Sequence, residues 1–280
     1  MEGFELAAGT IRGREHALSN KNNQDAYHLI AEPDLLVAVV CDGCGDPTSK
    51  FSEMGAILGS QLIAETITRT AKLGYFSNQS FWDHFVRYPV LEQLKALVYQ
   101  MGSIPKEVIN QNFLFTTVVA LVTPEVAVFA TIGDGVIIIN GEEEVFGYPN
   151  NAPPYLGYGL METNLHQGLF HFQIRKVIPT ENLESFLIGS DGVGDLIRSH
   201  SKKLPGKQEE VGGISQFWIE DRYFANPDGI KQRLTLINQS AQKINWEERR
   251  VEKENGYLKD DTTLVVGRRV REEKCSTPSS

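Results

Sequence analysis

Five aspartates stand at the edges of otherwise apolar segments of this sequence. They are Asp25, Asp42, Asp134, Asp191 and Asp260. If these segments are strands whose ends meet at one rim, the carboxylates would repel and raise one another's pKa. Hard divalent cations such as Mg²⁺ and Mn²⁺ prefer carboxylate, carbonyl and water oxygens and would resolve that repulsion. Taken singly, each aspartate also fits an ordinary turn, because Asp-Gly is a common turn dipeptide.

Two cysteines, Cys41 and Cys44, form a C-x-x-C pattern around an Asp-Gly pair. A zinc site needs two further ligands, and the sequence has no second cysteine pair. A redox pair usually opens a helix in a βαβ unit, whereas this pair ends a predicted strand. A cysteine-dependent phosphatase would need Arg six residues after the cysteine, where Pro47 and Lys50 stand. We therefore interpret Cys41 as a buried strand residue.

The composition is that of an ordinary globular protein. Of its 280 residues, 41% are hydrophobic and 22% are charged, and the formal net charge is −9. The absence of a basic tract argues against charge-driven binding to nucleic acid or to acidic membranes. No apolar run approaches the roughly 20 residues of a membrane span, and the N-terminus lacks a signal-peptide pattern. Three cysteines in such a chain suit a reducing compartment, so we expect a cytoplasmic protein.

Strands are predicted wherever β-branched and apolar residues are enriched. These segments are 35–41, 113–122, 126–132, 136–139, 169–178, 186–189 and 262–268. Two short connections, 123–125 and 133–135, are predicted to be hairpin turns. Such short links predict antiparallel pairing, because parallel strands need long crossovers.

Helical patterns lie between the groups of strands. We predict helices over 52–72, over 80–101 in two pieces broken at Pro89, and over 227–244. Ser80 and Asp83 have the spacing of a capping pair. Separate clusters of strands and helices favour an α+β fold over an alternating βαβ fold.

The remaining segments are predicted to be irregular. Residues 200–225 are polar and read as a loop insertion near the site. Residues 271–280 read as a flexible tail after a single domain that spans 1–270.

The order of motifs along the chain resembles the PP2C-type metal-dependent protein phosphatases. The motifs are NQDA, a strand ending in DG, TT before a hairpin ending in IGD, then GSDGVGD, and finally DDTTLVV. The resemblance spans about residues 9–268 and is closest to the bacterial PP2C-like branch. It implies a four-layer α-β-β-α sandwich, in which two antiparallel sheets are flanked by helices. This agrees with the α+β class predicted above.

The resemblance also implies a set of metal ligands. Asp42 would bridge two metal ions and Gly43 would give its carbonyl to one of them. Asp191 and Asp260 would be direct ligands, and Asp25 would act through metal-bound water. Asp134 and Asp195 match residues that hold a third ion in some bacterial members. Among these, Asp42 and Asp191 are the residues that we assign to the catalytic centre.

The implied activity is metal-dependent hydrolysis of phosphoserine and phosphothreonine in proteins. A hydroxide that bridges two Mn²⁺ or Mg²⁺ ions would attack phosphorus in line, without a phosphoenzyme. The implied partners are a phosphorylated protein substrate and a cognate Ser/Thr kinase. Nothing in the sequence indicates an obligate partner face, so we expect a monomer.

Two departures from the family pattern affect the expected site. Asn20 stands where the family usually has an Arg that holds the phosphate, and Arg14 and Lys21 are the nearby candidates for that role. Gln24 replaces a Glu found in many members, which removes one anionic group. The missing Arg keeps a second hypothesis open: a catalytically weak relative that binds phosphoproteins or regulates a kinase.

Overall fold

The described strands form two five-stranded antiparallel sheets and one separate ribbon. The computed structural model describes residues 3–102, 104–161 and 170–270. The strands are β1 (Phe4–Ile11), β2 (Asp25–Glu32), β3 (Leu35–Gly43), β4 (Phe115–Val122), β5 (Val126–Ile132), β6 (Gly135–Ile139), β7 (Glu142–Phe146), β8 (Gln173–Pro179), β9 (Ser185–Gly189), β10 (Ala241–Asn245), β11 (Arg250–Glu254) and β12 (Thr262–Arg269). One sheet has the order β1-β12-β9-β6-β7 and the other β2-β3-β4-β5-β8, while β10 and β11 pair only with each other.

The helices lie outside the sheets. The α-helices are α1 (Arg14–Leu18), α2 (Ser52–Thr70), α3 (Tyr88–Met101), α4 (Pro105–Asn112), α5 (Val193–Arg198), α6 (Gln216–Ile219), α7 (Arg222–Ala225) and α8 (Gly229–Asn238). A π-helical segment, Phe81–Arg87, leads directly into α3. Short 3-10 turns cover Ala71–Leu73, Pro149–Asn151, Leu156–Leu160 and Thr180–Asn182.

Alternation along β3 explains the four layers. Side chains of successive strand residues point to opposite faces. Val37, Val39 and Cys41 belong to the core that α2 and α3 cover. Leu36, Ala38 and Val40 belong to the core between the two sheets, with Phe186 and other residues of the second sheet. A third core lies under α8 on the outer face of that second sheet. The expected α-β-β-α sandwich in the α+β class is therefore confirmed.

The predicted strands are present, with bounds that shift by a residue or two. The exception is the strand expected over 169–178, which begins at Gln173; residue 169 lies outside the described residues. The turn at 123–125 joins β4 and β5 in an antiparallel pair, as expected.

The hairpin predicted at 133–135 is wrong, because β5 and β6 lie in different sheets. Gly133 and Gly135 have φ of +85° and +138°. A Cβ on Gly133 would lie 2.5 Å from the Thr116 methyl group, and one on Gly135 would lie 2.5 Å from Val118. The two glycines thus let the chain cross from one sheet to the other across β4.

Two helix predictions need correction. The segment 80–101 does contain two pieces, a π-helical one and α3 with Pro89 in its first turn. However, the Ser80 side chain makes no capping hydrogen bond. The helix predicted over 227–244 ends at Asn238, and the chain continues as β10.

The segment 200–225 is packed against the fold rather than looped out. Leu204, Val211, Phe217 and Tyr223 are buried in it. The buried Arg233 side chain holds the segment by donating to the carbonyls of residues 210 and 211. Its second half lies at the end of the sheet where β9 begins and β12 ends, opposite the strand ends that carry the aspartates.

The single-domain assignment of 1–270 stays a prediction, and the predicted tail 271–280 lies outside the described residues. Among the described residues, no helix combines the length and the apolar character that a membrane crossing requires.

Candidate active site

Two of the five aspartates are neighbours across a strand pair. Asp25 begins β2 and pairs in register with Asp42 near the end of β3. Directly opposite residues of an antiparallel pair point to the same face. Asp42 also pairs with Thr116 at the start of β4. The end of this sheet therefore holds two carboxylates side by side.

The other three aspartates come to the same end of the sandwich. Asp134 lies in the crossing between β5 and β6, Asp191 directly follows Ser190 after β9, and Asp260 shortly precedes β12. Burial is the largest cause of a strongly raised pKa at Asp42, and the nearby carboxylates raise it further. Those carboxylates belong to Asp25, Asp191, Asp260 and Asp134. The predicted convergence of the five is therefore present.

These carboxylates have few partners within the protein. The Ser190 hydroxyl donates to Asp25 Oδ2 at 2.6 Å, but Asp25 Oδ1 and Asp191 Oδ1 are buried without a hydrogen bond. Burial, followed by the charges of Asp260 and Asp134, raises the pKa of Asp191 to about 6. Within the described residues, no Lys or Arg forms an ion pair with Asp25, Asp42, Asp134 or Asp191.

Buried carboxylates without counter-ions are costly unless they are paired or coordinate a metal. The cluster offers several hard oxygens at one end of the sandwich, and two of them, Asp25 Oδ1 and Asp191 Oδ1, have no hydrogen-bond partner. Divalent cations that prefer oxygen ligands fit this donor set.

Backbone packing next to Asp42 requires a glycine. A Cβ on Gly43 would lie 2.8 Å from the carbonyl oxygens of both Gln24 and Ser52. The Gly43 N–H donates to Gln24 O at 3.0 Å. The Gln24 side chain is itself buried, donates to Ser52 Oγ at 2.6 Å and leaves its Oε1 unpaired. A neutral oxygen thus stands where many family members have a carboxylate.

Asp261 is a site residue that the sequence analysis missed. It is 2% exposed. Its Oδ1 accepts a hydrogen bond from Gly13 N at 2.6 Å. Its Oδ2 accepts from Gln24 N at 2.5 Å and from His16 Nδ1 at 2.8 Å. Because these donors already occupy the carboxylate, Asp261 acts as a clasp between the segment before β12 and the 13–24 loop.

Asp260 is the more exposed member of this pair, and its Oδ1 accepts one hydrogen bond, from Asp261 N at 2.8 Å. Its side chain is 55% exposed, and the nearest ring nitrogen, His16 Nε2, lies 3.7 Å from Oδ1. The adjacent Asp–Asp pair and the upstream His16 were visible in the sequence. The sequence does not indicate which of the two aspartates, Asp260 or Asp261, has the buried side chain.

Asp195 lies beside the cluster, and its charge contributes to the raised pKa of Asp191. Both of its oxygens already have partners. Arg198 donates to Oδ1 at 2.7 Å, and Lys259 N donates to Oδ2 at 3.2 Å. A third ion would therefore have to compete with Arg198 for this carboxylate.

The two phosphate-binding candidates lie in different surroundings. Arg14 donates to Gly256 O at 2.7 Å, away from the aspartates. Lys21 Nζ donates to Gly45 O at 2.9 Å, in the loop that follows Asp42 and Gly43. Asn20, at the position of the family Arg, is exposed with φ of +57°. The structure thus brings Lys21 to the mouth of the site and not Arg14.

A family model described as Protein phosphatase 2C matches residues 12–223, which is well over half of the chain. The chain belongs to the protein phosphatase 2C family. This confirms the resemblance found in the motifs. No curated protein matches the chain.

Solved structures of bacterial phosphatases share the fold. The catalytic domain of the serine/threonine phosphatase PstP, in complex with two manganese ions, is 15% identical with a TM-score of 0.52, and the match covers 96% of this chain and 99% of that one. Stp1 from Staphylococcus aureus is 14% identical with a TM-score of 0.50, and 96% of each chain is covered. A bacterial serine phosphatase with an arginine-to-glutamate substitution gives 14% identity, a TM-score of 0.53, and coverage of 97% and 100%. At such identities the likeness concerns the fold alone.

Proposed function

We propose that this chain is a metal-dependent phosphatase that hydrolyses phosphoserine and phosphothreonine in proteins. The observation that carries the proposal is the convergence of five strand-end carboxylates without an ion-pairing Lys or Arg on four of them, among the described residues. Membership of the protein phosphatase 2C family supports the same chemistry.

Two Mn²⁺ or Mg²⁺ ions would be held by Asp42, Gly43, Asp191 and Asp260, with Asp25 acting through water. When bound, such ions supply Lewis-acid chemistry, since they acidify water and neutralise charge on the phosphoryl group. Asp134 and Asp195 would take part in a third site. Asp42 and Asp191 are central because the charges of four and of three other aspartates, respectively, raise their pKa, compared with two for Asp25.

The chain's own residues position these ligands. Ser190 orients Asp25 through its hydroxyl, and Asp261 holds the loop that leads into Asp25. Lys21, at the rim, is placed to attract the dianionic phosphate as a point charge rather than as a bidentate fork. None of these three residues acts as a nucleophile, which agrees with a proposed hydrolysis that forms no phosphoenzyme.

The test is release of phosphate from a phosphothreonine peptide with Mn²⁺, with Mg²⁺ and with EDTA. We expect activity that requires metal and that Asp191→Asn reduces by at least about 100-fold, because an anionic ligand is lost. Asp34→Asn is the matched control, since Asp34 is exposed in the turn at the other end of β2 and β3. It should leave the rate unchanged.

The second candidate function is a catalytically weak relative that binds phosphoproteins or regulates a kinase. The observation that favours it is Asn20, which leaves no guanidinium at the family's phosphate position. Metal binding by calorimetry without phosphate release would support this function. If the protein shows no metal binding and releases no phosphate, both candidate functions are contradicted.

The proposal extends to the cellular setting. We propose a phosphorylated protein as substrate and a Ser/Thr kinase as the opposing partner. We also propose that the protein acts as a monomer in the cytoplasm.

A further inference from the structure

A cavity of about 920 Å³ opens beside the carboxylate cluster. One wall is the loop after β3, residues 44–49, and the other is the segment between Tyr148 and Tyr158. We name this cavity the flanking groove. Its volume lies at the upper end of the range typical of ligand pockets, roughly 300–1,000 Å³. It has room for two or three side chains of a peptide.

The inner end of the flanking groove lies against the proposed metal ligands. Cys44, which lines it, directly follows Gly43. Pro154 O packs so closely against Gly133, the neighbour of Asp134, that a Cβ there would lie 2.9 Å from it. Burial raises the pKa of the Tyr155 phenol, and the neighbouring Cys44 thiol and then the charges of Asp42 and Asp134 raise it further. A chain that enters the site therefore continues naturally into this groove.

The floor and far wall of the flanking groove are aromatic. The Tyr155 and Tyr158 rings meet edge to face with centroids 5.5 Å apart, and Tyr158 meets Phe170 in the same way at 5.4 Å. Pro153 and Pro154 complete the wall and are buried. Such walls bind apolar side chains by burying their surface.

The rim of the flanking groove carries one negative charge, and a lysine lies beside it. Among the described residues that line it, Asp46 is the one with a formal charge. The Thr48 hydroxyl and amide both donate to Asp46 Oδ1, at 2.6 and 2.8 Å, and lower the pKa of this exposed carboxyl. Lys21 lies beside this rim, since its Nζ donates to Gly45 O at 2.9 Å and its charge also lowers the pKa of Asp46. The charges of Asp46 and Lys21 offset each other, so the groove gives an acidic side chain little net attraction, whereas its aromatic wall buries an apolar one.

We propose that the flanking groove selects phosphoprotein substrates in which an apolar or aromatic residue, and not an acidic one, lies beside the phosphorylated Ser or Thr. This inference rests on the proposed phosphatase function. It assigns a substrate class from three features: direct continuity with the loop after Gly43, an aromatic wall, and a rim where the charge of Asp46 is offset by Lys21.

The first test compares phosphothreonine peptides that differ at one position. Leu, Phe or Glu is placed on either side of the phosphothreonine, and kcat/KM is measured with Mn²⁺. We expect the Leu or Phe peptide to exceed the Glu peptide by about tenfold on at least one side, the usual discrimination of an apolar pocket. Equal values on both sides, or a preference for Glu, would overturn the proposal.

The second test fills the flanking groove without removing a packed side chain. Ala152 lines the groove and is exposed, so Ala152→Trp should fold normally. We expect it to lower kcat/KM for the Leu peptide by about tenfold more than for p-nitrophenyl phosphate, which has no flanking residue. Ala31→Trp, exposed at the far end of β2, is the matched control and should change neither value. An equal loss on both substrates with Ala152→Trp would contradict the assignment.

Hydrolysis of p-nitrophenyl phosphate separates the two proposals, because it reports the metal chemistry alone. If the protein hydrolyses no phosphate ester, the phosphatase proposal is wrong, and the groove proposal has to be tested by binding. Binding of the same peptides to Asp191→Asn, measured by fluorescence anisotropy, then tests the groove independently. Tighter binding of the Leu peptide that Ala152→Trp abolishes would support the groove, and equal binding would reject it.

Discussion

Asp25 and Asp42 lie directly opposite each other on β2 and β3, with their carboxylates on the same face of the sheet. Like charges in directly opposite positions destabilise a strand pair. The pKa of both groups is raised, mainly by burial and then by neighbouring carboxylates. The two carboxylates therefore repel each other when both are ionised, and a bound divalent cation would remove this repulsion.

Metal-free protein should lose stability as the pH rises from about 4 to above 6. In the unfolded chain these aspartates titrate near their usual pKa of about 3.9. In the folded protein the pKa of Asp191 is about 6, and those of Asp25 and Asp42 are also raised. The folded state therefore binds more protons in this window, so its stability is highest below pH 4 with respect to these groups and falls as they ionise.

Urea unfolding in EDTA at pH 5 and pH 7.5 measures this effect. We expect the free energy of unfolding to be roughly 2 kcal/mol lower at pH 7.5. Mn²⁺ should restore most of the difference, because it binds the ionised form. A metal-free protein that is more stable at pH 7.5 than at pH 5 would contradict the electrostatic picture of the cluster.

Replacing Asp25 with Asn should stabilise the metal-free protein and weaken metal binding. Asn removes the charge that faces Asp42, yet its carbonyl can still accept the hydrogen bond from Ser190. We expect a gain of about 1 kcal/mol in EDTA at pH 7.5. Calorimetry should show weaker Mn²⁺ binding in the same variant. Asp34→Asn serves as the control, and a loss of stability in Asp25→Asn would show that its charge is already compensated.

The neighbours Asp260 and Asp261 should behave in opposite ways when each is changed to Ala. Asp261→Ala leaves the buried amides of Gly13 and Gln24 without their acceptor, which should cost about 2–4 kcal/mol of stability. Asp260→Ala should cost less than about 1 kcal/mol, because its side chain is 55% exposed. It should nevertheless abolish Mn²⁺ binding at that position.

Thermal unfolding and calorimetry on the two variants, each at the same metal concentration, measure these effects. The two alanine variants control for each other, since they differ by one position. A large loss of stability in Asp260→Ala together with a mild one in Asp261→Ala would reverse our assignment of ligand and clasp.

Lys21→Ala should impair binding of the phosphorylated substrate more than Arg14→Ala does. Lys21 Nζ lies at the mouth of the site on Gly45 O, whereas Arg14 is engaged with Gly256 O. Loss of a charge-assisted contact to phosphate should raise KM for a phosphopeptide about tenfold. Steady-state kinetics of both variants measure this, and a larger effect of Arg14→Ala would point to a rearranged loop.

Much of the fold could be predicted from the sequence because its central strands are unusually apolar. β3 and β4 are buried almost throughout, so composition alone located them. β1 and β2 were missed because half-exposed edge strands lack a clear pattern. The β10–β11 ribbon was missed for a related reason. Its charged residues resemble an exposed helix face, and cross-strand pairing cannot be read from one segment.

The convergence of the five aspartates could be predicted from the sequence, whereas the contacts that hold them in place could not; the ligand set itself stays a prediction. The motifs located the five aspartates, and their convergence followed from strand ends meeting at one rim. The crossing at 133–135 and the inward turn of Asp261 depend on packing between segments far apart in sequence. Local patterns carry no signal for such contacts.

The clasp formed by Asp261 has a consequence for how the protein is made. Asp261 binds the backbone of Gly13 and Gln24, which lie 248 and 237 residues earlier in the chain. β1 likewise pairs only with β12 among the described strands. On the ribosome, then, the loop before Asp25 can be fixed only after residue 261 has emerged. We expect nascent chains that stop before residue 255 to leave the carboxylate cluster unassembled, so that metal binding at this cluster has to wait until β12 has been made.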